Sequence, residues 1–225
     1  MGVELEGGVE LATRPEWRTT SRGVELDVSR FPLHRLNGAR DILALLGATH
    51  TRPARHDCFG WHEWAMVYRA DSTRHDQPLR LGSETIATLL ESQTLRCSHF
   101  DAVRFWTPAA LPLNTLTPQA HERSEWEQPG CIHANMDLYK FAAKFAPWIP
   151  SRLVVDAFLV AKEARELDMR ASPYDLSGFG VEPVPLETTE GRREYAVLQR
   201  AVAQRAAPIR VRLIEAYESL IEAVS

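Results

Sequence analysis

The chain has 225 residues, a formal net charge of −4, 44% hydrophobic residues and 25% charged residues. That is ample for one sizeable core and is the balance of a soluble domain. No apolar run approaches the roughly 20 residues of a membrane span, the acidic start MGVELEGGVELATRPEW has no apolar signal core, and the negative charge argues against tight, sequence-indifferent binding to nucleic acid, which rests on many phosphate contacts.

Three cysteines and no export signal predict a cytoplasmic protein with free thiols or thiol ligands. Only three of the 26 basic residues are lysine, namely Lys140, Lys144 and Lys162.

Residues 1–37 predict a loose, irregular arm with one or two short strands; GVEL recurs there at Gly2, Gly8 and Gly23, at unequal spacing. One mainly α domain is expected over 38–225. GARDILALLGA (38–48) predicts a short helix ending at Gly47. GWHEWAMVYRA (60–70) predicts a second helix, and SETIATLLESQ (83–93) a third, capped at Ser83. FDAVRFWT (100–107) fits helix or strand. A proline-rich connection with Pro108, Pro112, Pro118 and Pro129 leads to a helix over 133–146. The next helix, 151–170, is predicted with Ser151 as its cap and Leu153, Val154, Ala157, Phe158, Ala161 and Ala164 as its apolar stripe. ASPYDLSGFGVEPVPLET predicts a loop. The end, about 192–224, predicts a long helix that Pro208 kinks or divides, with Tyr195, Leu198, Val202, Ile209, Leu213, Tyr217, Leu220 and Ile221 on its buried side.

Every cysteine sits two residues from a histidine: His56 with Cys58, Cys97 with His99, Cys131 with His133. Thiolate and imidazole both ligate Zn²⁺ and related ions, but no C-x₂-C doublet accompanies them. Residues two apart diverge by roughly 200° on a helix, so each pair is expected to supply one ligand. The competing expectation is buried cysteines beside hydrogen-bonded histidines. Carboxylates follow the histidines too: Glu63 after His62, Asp101 after His99, and Asp137 four residues after His133, on the same helical face. This pattern fits a metal site of His62, His99, His133 and Asp137 holding one Zn or other transition metal, or acid–base chemistry by His133 with Asp137 or Asp101. For Asp137 alone, favourable placement near a helix N-terminus is the plain alternative.

Asn135 and Tyr139 are also four apart and, with Trp106, fit a polar, planar ligand. Arg170 and Tyr174, in LDMRASPYDL, fit an anionic group, or else a helix C-terminus and its turn. The phosphate loop, G-x-G-x-x-G, G-x-S-x-G and H-E-x-x-H motifs are absent; HEWAM carries Met66 where the second histidine would stand.

RCSHFDAVRFWTP (96–108), EQPGCIHANMDLYKFAAKFAPWIPSRLVVDAF (127–158) and LDMRASPYDL (167–176) resemble a group of bacterial, largely actinobacterial proteins commonly labelled 3-methyladenine DNA glycosylase, over about residues 56–220. The resemblance implies hydrolysis of the N-glycosidic bond of alkylated purines in damaged DNA, although the L-P-G-[IV]-G hairpin of helix-hairpin-helix glycosylases is absent. Such chemistry needs a carboxylate beside an oxocarbenium-like sugar and a pocket that stacks the base. Asp137 or Asp101 fits the first role, Trp106 or Tyr139 the second, and Asn135 reading of the base edge. The residues alone leave open a metal-dependent enzyme acting on a small polar, nucleobase-like metabolite, and a non-catalytic helical binding protein.

Overall fold

In the computed structural model, residues 10–225 and the backbone of residues 4–5 are described. The arm forms a small antiparallel sheet of β1 (Glu4–Leu5), β2 (Trp17–Thr19) and β3 (Val24–Leu26) in the order β1-β3-β2, with Glu4 opposite Glu25 and Trp17 opposite Leu26. Two of the GVEL copies thus pair with each other, although Gly2, Val3, Gly8 and Val9 lie outside the described residues. The arm is docked rather than loose. Val24 and Phe31 are buried, and Phe31 packs on Phe145 and edge-on to Trp148.

The body is mainly α. Four long helices carry it: α1 (Leu36–Thr51), α6 (Ile132–Lys144), α7 (Ser151–Ala171) and α8 (Thr189–Val224), with α6, α7 and α8 in mutual contact and α1 against α8. The shorter α2 (Trp61–Ala65), α3 (Ser83–Glu91), α4 (Phe100–Val103) and α5 (Arg123–Trp126) lie between them in sequence. Among the described residues, no helix is long and apolar enough to cross a membrane.

Helix ends differ from the sequence pattern where tertiary contacts override local signals. Gly47 lies inside α1, which runs on to Thr51. Ser83 and Ser151 are the first helical residues, not caps, and neither α3 nor α7 has a side-chain cap bond. The second predicted helix stops at Ala65, and the FDAVRFWT segment is helical for four residues only. Helix α8 passes through Pro208 undivided and spans about 54 Å; Thr188 caps it by accepting from the Gly191 N–H at 2.9 Å.

The stripe of α7 is Leu153, Ala157, Val160, Ala164, Leu167 and Ala171, a row three to four residues apart. Phe158 faces outward, 46% exposed. The same inward row contains Asp168, a carboxylate where an apolar side chain would be expected.

One turn sets the position of the polar interior. The Gln128 Oε1 accepts from the N–H of Arg55 at 2.8 Å and of Gly130 at 2.7 Å, clamping the entry to α6 onto the segment that carries Cys58. A Cβ on Gly130 would meet the Arg55 carbonyl oxygen at 2.3 Å. Backbone cannot yield there as a flexible side chain would, so Gly130→Ala is expected to cost about 2 kcal/mol or more, seen as a lower urea midpoint at unchanged m-value.

Candidate metal centre

Helix α6 opens at Cys131, whose side chain makes no cap bond, and has no acidic residue in its first turn. Asp137 is therefore not a partner of the helix N-terminus. Its Oδ2 accepts from Lys140 Nζ at 2.7 Å and from Arg123 Nη2 at 2.7 Å. Arg123 also reaches Glu127, Nε to Oε1 at 2.5 Å, and Glu127 is only 2% exposed. Arg52 braces this segment by donating to the Ser124 and Glu127 carbonyls, each at 2.6 Å.

His99 completes the group. It precedes α4 on a segment bracketed by Asn114, whose amide accepts from the Cys97 N–H and donates to the Cys97 carbonyl, both at 2.9 Å. His99 Nε2 lies 3.5 Å from Glu127 Oε1 and 3.5 Å from Asp137 Oδ2, and neither ring nitrogen has a hydrogen-bond partner although the residue is 1% exposed. Such separations exceed the roughly 2.7–3.2 Å of an N–H···O bond. They match the ligand–ligand edge, about 3.4 Å, of a tetrahedral ion with bonds near 2.1 Å.

His133 stands next to His99, ring centroids 5.3 Å apart, and edge-on to His62 at 4.3 Å, so the three imidazoles form a row. At the far end His62 Nε2–H donates to Asp168 Oδ1 at 2.5 Å, too short an edge for both to ligate one ion; this is a hydrogen-bonded pair. Arg165 bridges Asp168 to Glu63.

The charge states follow from these neighbours. Burial would raise the Asp137 carboxyl, but His99 and Lys140 outweigh it and hold it well below the usual carboxylate range. Burial likewise opposes ionised Asp168, and His62 outweighs it. Burial would lower His62, but Asp168 raises it instead. His133 is pushed well down by burial and by His62, and so stays neutral, the ligand form of imidazole.

The other sequence candidates scatter. Asp101 touches the centre through cations, 3.3 Å from Lys140 Nζ and 3.7 Å from Arg123 Nη1. Asn135 and Tyr139 share no pocket. Asn135 is fully buried, accepting from Arg210 at 2.5 Å and donating to the Pro129 carbonyl, whereas Tyr139 is 38% exposed against Phe158. The inward face of α6 runs through Ala134, Asn135, Leu138, Phe141 and Ala142 and turns Tyr139 away. Trp106 is core, at 5% exposure, and offers no open stacking face. Arg170 is taken up by the Glu182 carbonyl and Glu194, outside the imidazole row. Tyr174 lines a separate hollow of about 100 Å³ with Glu63, His75 and Arg165.

Glu127, Arg123 and Asp168 are the site residues that the sequence pattern does not single out. Only Asp168 has a sequence signal, its place in an apolar row.

No family model, no curated protein and no solved structure matches the chain.

Proposed function

We propose that the chain is a metal-dependent hydrolase acting on a small polar metabolite that carries an anionic group. The observation behind this reading is the buried His99 imidazole, which makes no hydrogen bond while its Nε2 faces an oxygen of Glu127 and one of Asp137, each at 3.5 Å. A buried polar group without a partner is costly, and a divalent cation among the three atoms would satisfy it. One nitrogen and two carboxylate oxygens suit Mn²⁺, Fe²⁺ or Zn²⁺. Each carboxylate oxygen has two lone pairs, so Glu127 Oε1 and Asp137 Oδ2 can face an ion while still accepting from Arg123. Such an ion supplies a water nucleophile at neutral pH and polarises the bond under attack.

The substrate side is a groove of about 680 Å³ lined by His121, Arg123, Lys140 and Lys144 along with Asp41 and apolar residues of α1. Arg123 and Lys140 belong to both groove and centre. They bind the anionic group and stabilise charge that builds beside Asp137.

The same basic groove favours base excision as the second reading, since it would accept a phosphate-bearing strand. One experiment divides them: metal-stripped and Mn²⁺-reconstituted protein is assayed on a panel of small anionic esters and amides and, in parallel, for base release from methylated DNA. Metal-dependent turnover of a small substrate, with KM raised at least tenfold by Lys144→Ala, is expected. Base release that persists in the stripped protein would replace the first reading with the second.

A further inference from the structure

Helix α7 turns an apolar face to water. Val155, Phe158 and Leu159 are 53%, 46% and 56% exposed. They adjoin one another at helical spacings of three and four. The exposed Tyr139 ring of α6 packs edge-on against Phe158, centroids 5.3 Å apart. On the other flank Glu163 pairs with Arg205, and Asp156 with Arg212 at 2.8 Å. Helix α8 therefore runs alongside, with exposed Pro208 between those two contacts in sequence. Single exposed apolar side chains are ordinary, but a contiguous patch marks an interaction site.

The charges around this patch are balanced about Leu159. Arg152 lies seven residues before it and Glu166 seven after, about 10 Å either way along the axis. A seven-residue step returns to nearly the same side of a helix, so Arg152, Leu159 and Glu166 share one stripe. Asp156 lies three residues before Leu159 and Lys162 three after. Each cation thus has an anion at the equal and opposite position. These charges are also poorly used within the chain. The Arg152 side chain is 84% exposed and reaches Asp156 of its own helix at 3.3 Å. Among the described residues, Lys162 and Glu166 have no ion-pair partner.

We propose that this face is a dimer interface, covered by a second copy of the chain with α7 antiparallel to α7 and the two-fold axis at Leu159. That axis places Leu159 on Leu159, with Val155 and Phe158 beside them. Arg152 meets the second copy's Glu166, and Lys162 the second copy's Asp156, and each contact is made twice. Charge complementarity selects this occupant. The face is complementary to itself, which a foreign partner would not require. Asp156, Glu163 and Glu166 would repel an anionic lipid surface. The interface uses no residue of the His99 centre or of its groove, so it stands or falls apart from the proposed activity.

The test is sedimentation equilibrium of the full chain across the micromolar range. Wild type is expected to be a dimer. Leu159→Glu, at an exposed position, sets two carboxylates face to face on the axis and should raise the dissociation constant at least a hundredfold with the helical circular dichroism retained. Arg152→Glu and Glu166→Arg should each weaken association at least fivefold, because each opposes like charges at two places. The double variant Arg152→Glu/Glu166→Arg should recover to within about threefold of wild type, the signature of a direct pair. The proposal is overturned if wild type is monomeric, if Leu159→Glu dimerises as wild type does, or if the double variant is no tighter than either single one. Monomeric wild type that binds phosphatidylglycerol vesicles, and releases them on Leu159→Glu, would assign the patch to a lipid surface instead.

Discussion

Asp168→Ala is expected to cost about 3–5 kcal/mol, the range for removing one partner of a buried ion pair. The Asp168 side chain has no exposure and serves two donors, His62 Nε2 at 2.5 Å and Arg165. Its loss leaves a buried imidazole and a guanidinium facing an apolar methyl. The deficit should depend on pH with a definite sign. Asp168 titrates below its unfolded value of about 3.9, so its contribution is present above about pH 4 and is lost as pH falls through the folded pKa. His62 titrates above its unfolded value of about 6.5, so its contribution is present below that pH and is lost as pH rises through the folded pKa. The difference in stability between wild type and variant should thus be largest between about pH 4 and 6.5 and shrink on both sides. His133 is pushed down by burial and His62 but pulled up by Asp168, so at acid pH it weakens the variant at least as much as wild type and does not reverse the difference. Urea midpoints of both proteins across this range check it; a difference that does not vary with pH would refute the ion-pair assignment.

Arg123→Met is expected to destabilise the metal-free protein by about 3–5 kcal/mol and to be rescued by metal. Among the described residues, Arg123 is the one arginine or lysine paired with the Glu127 carboxylate, which is 2% exposed, and it shares Asp137 with Lys140. Without the guanidinium, two carboxylate oxygens face His99 with less compensation, so a divalent ion gains what Arg123 supplied. Saturating Mn²⁺ should raise the melting temperature of Arg123→Met more than that of wild type, because an ion that binds only the folded state stabilises by mass action. If the two proteins respond equally, the carboxylate pair is a seat for arginine and not for a metal.

The fold class was legible because apolar spacing is a local property: the inward positions of α8, from Tyr195 through Val202, Ile209, Leu213 and Tyr217 to Leu220, repeat at helical intervals. Caps and ends were less so, since Gly47 and Ser83 are signals that packing overrides. Within the site, His99, His133 and Asp137 stood out as histidines with nearby carboxylates, and the structure brings them together. Glu127 and Arg123 did not, because their roles arise from a loop folding across α6, which leaves no period in the sequence. Asp168 and Arg210 were readable in principle, each being a charge on the buried row of a long helix. The pairing of Asn135 with Tyr139 failed because four-residue spacing places two side chains near one face without deciding which side of its edge each one falls on.

The claim that His99, Glu127 and Asp137 hold a metal is tested most directly by equilibrium binding of Mn²⁺, an ion that favours oxygen and imidazole over thiolate, to the stripped protein and to His99→Ala. One equivalent bound to wild type, and binding at least a hundredfold weaker in a folded His99→Ala protein, is the expected result. Failure of wild type to bind Mn²⁺, or binding that survives the loss of His99 unchanged, would contradict it.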